Sequence, residues 1–265
     1  MHTSRPPPSL PLAEAPRTLS REREDAAASA TAIVTRSVRV AVGGVMRTGL
    51  LAMPKSEPWR SAVVVVGERP TVDVGAMDAA RSLAAAGHGA LAIGHGEIAP
   101  EGAEVADLTR GVDAALARLR AEAPAKAPRI GVVGYGLGGF LALVAGYRCQ
   151  VGAAVSVYGE GPMRLRADLR RIIDRPKRHS APFLCLVGAE DLVVRAEDLA
   201  AIRERLDVYG MRHTFILYPR TRAGFCQVGG PDHRPIEAAD AWTKILHALD
   251  TAPRLRNRSP PRSRA

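Results

Sequence analysis

The spacing of apolar residues changes period several times along this chain, and each change marks an element. TAIVTRSVRVAVGG (31–44) and VMRTGLLAMP (45–54) alternate apolar and polar positions. That period of two, broken at Gly43-Gly44, predicts an antiparallel hairpin. SAVVVVGE (61–68) is a continuous apolar run, as in a strand buried on both faces. VGAMDAARSLAAAGHG reads as a helix closed by Gly87, and ALAIGHG as the next strand. A long helix is expected over 102–123, ending before Pro124, and then a strand over Ile130–Val133 and a helix over Leu137–Tyr147. VGAAVSVYG, APFLCLVGAED and RHTFILYP read as three more strands. A helix over 195–209, capped by Gly210, and PIEAADAWTKILHAL complete the pattern. Strands alternating with helices after a hairpin predict one α/β domain over 31–250, a three-layer sandwich on a mostly parallel twisted sheet.

Composition adds limits. Residues 1–30, rich in Pro, Ala, Ser and charge, are expected to be disordered. No apolar run approaches a membrane span, and prolines and charges interrupt the N-terminal residues, so no signal peptide is expected. The three cysteines, Cys149, Cys185 and Cys226, are widely spaced. They suggest neither a disulfide framework nor a zinc cluster, and a reducing cytoplasmic setting is expected. Half of the net charge of +10 lies in the tail 251–265, at Arg254, Arg256, Arg258, Arg262 and Arg264. The tail is read as a solvated, disordered end; without interleaved aromatics it is no argument for nucleic acid. A second basic stretch, Arg164 to Arg178, is read as a solvated face.

The candidate chemistry sits in RIGVVGYGLGGF, residues 129–140, where a strand enters a glycine-rich turn and then a helix. Two readings are open. Gly134, Gly136 and Gly139 satisfy G-x-G-x-x-G, a dinucleotide-binding spacing, with Glu160 as the acidic residue after the next strand. However, that fingerprint usually opens a domain, and here a hairpin and two βα units come first. The second reading is the nucleophile elbow, in which a Ser or Cys stands in a strained turn with positive φ. It calls for no cofactor and no metal.

The order of segments resembles the dienelactone hydrolase family of the α/β-hydrolases over about 200 residues. GYGLGG is similar to the family's Gly-Tyr-Cys-Leu-Gly-Gly, with Gly136 at the cysteine. AVVVVGE resembles its strand ending in a functional glutamate, here Glu68. Its usual Pro-Asp after the following strand is Gly94-His95 here. SVYG, LVGAEDLVV, LYPRTRAGF and AADAWTKILHAL follow in the family's order.

The resemblance implies a triad of nucleophile, acid and histidine. Asp191 falls on the acid. Where the family reads Tyr-Pro-x-Ala-x-His-Gly-Phe, this chain reads YPRTRAGF, so Ala223 falls on the histidine. The implied oxyanion donors are the backbone N–H groups of Leu137 and Arg69. A family arginine that binds the lactone carboxylate falls on Gln227, which weakens the case for that substrate. The expectation is a member without ordinary Cys/Ser–His–Asp catalysis, binding a small molecule or a partner protein. The alternative is a hydrolase with displaced residues, Cys226 as nucleophile and His95 as base. His88, just after a helix-ending glycine, is expected at the surface, and Asp73 at a helix start.

Overall fold

A computed structural model describes residues 32–55, 58–99, 104–124, 129–159, 173 and 180–254. Both termini, Glu160 and, apart from Ile173, the basic stretch Arg164–Arg178 lie outside the described residues.

The hairpin forms as its alternation requires. β1 (Ile33–Val42) pairs antiparallel with β2 (Val45–Pro54) across the Gly43-Gly44 turn, in register Val42 to Val45. β3 (Ser61–Gly67) is wholly buried, as its continuous apolar run demands. After it come α1 (Val74–Ala85), β4 (Gly89–Gly94), the short α2 (His95–Ile98), α3 (Val105–Glu122) and β5 (Arg129–Tyr135). The chain continues through α4 (Leu137–Arg148), β6 (Ala153–Val157), β7 (Phe183–Gly188), α5 (Ala196–Val208), β8 (His213–Tyr218) and α6 (Pro235–Thr251). The strands form one eight-stranded sheet, ordered β1-β2-β4-β3-β5-β6-β7-β8 and parallel from β4 to β8.

Period two divides β3 between two cores. Val64 and Val66 join the apolar faces of α3, α4 and α5, whereas Val63 and Val65 join those of α1 and α6. Helices therefore cover both faces, giving three layers. The helix starts follow local chemistry. Asp73 Oδ1 caps α1 by accepting from Ala76 N–H at 2.8 Å. Glu104 and Asp107 form a capping box that starts α3 at Val105, inside the expected 102–123. Pro235 opens α6. The strand expected over ALAIGHG is shorter: β4 ends at Gly94, and His95 begins α2.

His88 corrects an expectation. It is 1% exposed, not superficial. Gly87, with φ of 90°, turns the chain back so that His88 N–H donates to Leu83 O. This aims the ring inward, where Nδ1 lies 2.8 Å from the Ser61 hydroxyl. Burial lowers its pKa, opposed by the nearby Asp250 carboxylate.

Sheet order also locates the functional end. The chain moves from β3 outward to β4, then returns across β3 to β5 and continues in the opposite direction. A crevice opens at such a reversal, at the carboxyl ends of the strands. Glu68, Gly136, Tyr158, Asp191 and Ala223 all follow carboxyl ends of strands, on β3, β5, β6, β7 and β8 respectively.

Candidate active site

The glycine turn is built by close approach of α4 to the sheet. A Cβ on Gly138 would stand 2.3 Å from Val66 O, and one on Gly134 would stand 1.9 Å from Gly138 O. One on Gly139 would meet the Ser156 hydroxyl at 2.5 Å. Helix–strand contact thus accounts for this glycine spacing without a bound phosphate. Gly136 differs, because its need is conformational. It has φ 53° and ψ −127° at the N-cap of α4, and its N–H donates to Val157 O at 3.2 Å. That is the strained strand-to-helix geometry of an elbow.

At Gly136 the place of a side chain is taken. A Cβ there would come within 2.7 Å of Glu68 Cγ. Glu68 is held over the turn by Gln227, whose side-chain amide donates to Oε2. Burial raises the Glu68 pKa, while Arg69 opposes the rise and Asp73 adds to it.

Asp191 is 9% exposed, in the turn after β7. Its Oδ1 accepts the N–H groups of Val193 (2.8 Å) and Val194 (3.0 Å). Its Oδ2 is buried and has no hydrogen-bond partner among the described residues. A buried carboxylate oxygen without a donor is costly and uncommon. Ala223, half-buried before the positive-φ Gly224, packs on the α1/α6 core and offers no donor.

The two expected oxyanion donors differ. Leu137 N–H, at the first position of α4, has no intrahelical acceptor to reach. Arg69 N–H is engaged, donating to Asp73 Oδ2 at 3.2 Å. Gly67 makes this possible, since a Cβ there would lie 2.3 Å from the same oxygen. Asp73 therefore does more than start a helix: one oxygen caps α1 and the other occupies Arg69.

Beside the turn opens a cavity of about 600 Å³, bordered by Glu68, Tyr135, Tyr158, Cys226, Gln227 and Trp242. That volume falls in the range of small-molecule sites, roughly 300–1,000 Å³. Gly136, Asp191 and Ala223 do not border it. Tyr158, with φ of 39°, packs between Tyr135, tilted at 5.9 Å, and Phe225, edge-on at 5.8 Å. Burial holds its hydroxyl protonated well beyond the usual range. The sequence reading named neither tyrosine nor Trp242. The available signal was positional: Tyr135 precedes the elbow, Tyr158 follows the next strand, and both strand ends face the crevice.

Cys226 borders the cavity, and burial pushes its thiol up to about 12. His95 does not border it; it stands at the start of α2 with its N–H on Arg69 O. Burial lowers the His95 pKa. The structure therefore does not bring Cys226 and His95 together at the cavity.

Comparison with known proteins agrees with this fold. The model of the dienelactone hydrolase family matches residues 99–252. This chain belongs to the dienelactone hydrolase family. A Bradyrhizobium protein named "Probable 2-oxo-3-(5-oxofuran-2-ylidene)propanoate lactonase" is 27% identical over 225 residues, 79% of this chain and 91% of that protein. The crystal structure of dienelactone hydrolase from Anabaena variabilis superposes with a TM-score of 0.62 at 19% identity, covering 84% of this chain and 99% of that one. The esterase domain of a Rhodothermus marinus protein superposes with a TM-score of 0.59 at 15% identity, covering 81% and 97%. Both likenesses concern the fold. Among the described residues, no helix is long and apolar enough to cross a membrane, and no group of His, Cys, Asp and Glu is arranged to hold a metal.

Proposed function

We propose that this chain is a dienelactone hydrolase-family protein without the family's covalent catalysis, and that it binds a small organic molecule in the cavity beside the glycine turn. The observation that carries the reading is Gly136. The turn has elbow geometry, its central residue has no side chain, and the Glu68 stem fills the place where one would stand. Three further features support it. Ala223 cannot carry a proton, Asp191 Oδ2 has no donor among the described residues, and Arg69 N–H is occupied by Asp73. Acyl transfer through an enzyme-bound intermediate needs a nucleophile, a proton carrier and an oxyanion hole. In this reading two are absent and the third is reduced. The open cavity favours a small-molecule ligand over a purely scaffolding role.

The test is hydrolysis of p-nitrophenyl acetate and of an unsaturated γ-lactone by the purified chain. The expected rate does not exceed the buffer rate. Turnover that disappears in Asp191→Asn would defeat the proposal and restore a hydrolase.

A second reading has one observation in its favour, because Cys226 borders the same cavity. A thiol held up to about 12 is overwhelmingly protonated at neutral pH, and the thiolate is the attacking species. Labelling by a thiol-directed ester, lost in Cys226→Ala, would support a relocated nucleophile. The expected result is no labelling under native conditions.

A further inference from the structure

A second cavity, of about 510 Å³, lies between α6 and the amino ends of β6, β7 and β8, and shares no bordering residue with the first. Its floor is apolar. Ala153, Leu184, Ile216 and Ala248 all belong to the α1/α6 core, and the last three are only partly buried there. The pleat turns Leu184 and Ile216 toward α6, while their neighbours Phe183 and Phe215 pack in the opposite core.

The fixed charges on the rim, Arg212 and Lys244, are both positive. Arg212, His213, Lys244 and His247 border the cavity, and among the described residues no Asp or Glu does. Two of these side chains have acidic neighbours outside it. Lys244 pairs with Asp240 at 2.6 Å, and His213 lies 3.6 Å from Asp207. Arg212 is exposed and makes no ion pair among the described residues. An apolar trough ending at an unpaired guanidinium suits an apolar body with one carboxylate, because the planar fork matches a carboxylate with two parallel hydrogen bonds.

We propose that this groove is a second binding site, taking an amphipathic carboxylate whose head meets Arg212 and whose apolar chain lies on Leu184, Ile216 and Ala248.

Calorimetric titration with decanoate, below its micellar concentration, tests the site. The expected result is saturable one-to-one binding that weakens as salt is raised. Decyltrimethylammonium, with the same chain and the opposite charge, is expected not to bind. Arg212→Glu should weaken decanoate binding at least ten-fold, and Ala248→Trp should abolish it by filling the floor. Both variants should keep the wild-type circular dichroism spectrum; if Ala248→Trp does not, Arg212→Glu decides alone, because its side chain is exposed. Trp242→Ala, in the other cavity, should leave decanoate binding unchanged. No saturable binding, equal binding of the cationic amphiphile, or indifference to Arg212→Glu would overturn the proposal. Loss of binding in Trp242→Ala would overturn it too, by placing decanoate beside the glycine turn. Dimerisation that excludes decanoate would assign the groove to a second copy of the chain and overturn it as well.

Discussion

The two ends of the sheet bring together different things. At the carboxyl ends, Gly136 stands in elbow geometry, with Asp191 and Ala223 at the ends of β7 and β8. The backbone geometry is there, but positions 136 and 223 carry no side-chain chemistry. At the amino ends, Ser61 and His88 lie 2.8 Å apart, and His88 Nε2 lies 4.0 Å from Asp250. A serine, a histidine and an aspartate are all present there, yet Ser61 is fully buried and Arg60 holds Asp250 through two hydrogen bonds. That cluster ties β3 and the α1–β4 turn to α6. Residue types alone therefore do not mark an active site. What sets the carboxyl end apart is the elbow turn at Gly136, placed where the sheet order reverses.

The largest test of this contrast is a repair. Gly136→Cys with Ala223→His should create thiol-esterase turnover about 100-fold or more above wild type, as an activated nucleophile supplies. Steady-state p-nitrophenyl acetate kinetics measure it. Glu68 must swing aside for the new Cβ, so Gly136→Cys alone should also destabilise the fold by about 1–3 kcal/mol through its positive φ.

At the opposite end, His88→Ala leaves the buried Ser61 hydroxyl without its partner, and should lower stability at pH 8 by about 1–3 kcal/mol in urea unfolding. The pH dependence has a definite sign. The folded pKa of His88 is lowered, so its contribution is complete above the unfolded value of about 6.5 and is lost as pH falls through the folded pKa. His88→Ala should flatten that acid-side loss. If stability is unchanged at both pH values, the amino-end cluster is not structural.

Asp73→Ala removes the α1 cap and frees Arg69 N–H. About 1 kcal/mol of stability should be lost, read as a lower Tm. The smallest effect is expected at Glu68. Its folded pKa is raised, so its contribution is greatest below the unfolded carboxylate value of about 4.3 and falls as pH rises through the folded pKa. Glu68→Gln should therefore gain stability relative to wild type between pH 4 and pH 8. An opposite drift would show that Gln227 and Arg69 outweigh burial at that carboxylate.

Much of the fold was legible because period and punctuation are local. The hairpin alternation, the unbroken valines of β3 and the glycines closing helices each act within a few residues. The candidate site was legible in part. Glu68, Gly136, Asp191 and Ala223 were found by segment order, since each follows a strand. Tyr135, Tyr158 and Trp242 were missed because cavity walls are assembled from distant segments. His88 was misplaced for the same reason: the turn at Gly87 is local, but its pocket beside Ser61 exists only when β3 and β4 pair.

The sequence by itself determined the strand–helix order, the α/β class, and the absence of side-chain chemistry at positions 136 and 223. Those follow from which residues stand where. Tertiary structure alone decided that Glu68 covers Gly136, that Asp73 takes up Arg69 N–H, and that the cavities open where they do. Each depends on groups brought together by strand crossing and helix packing, and such contacts have no local signature along the chain.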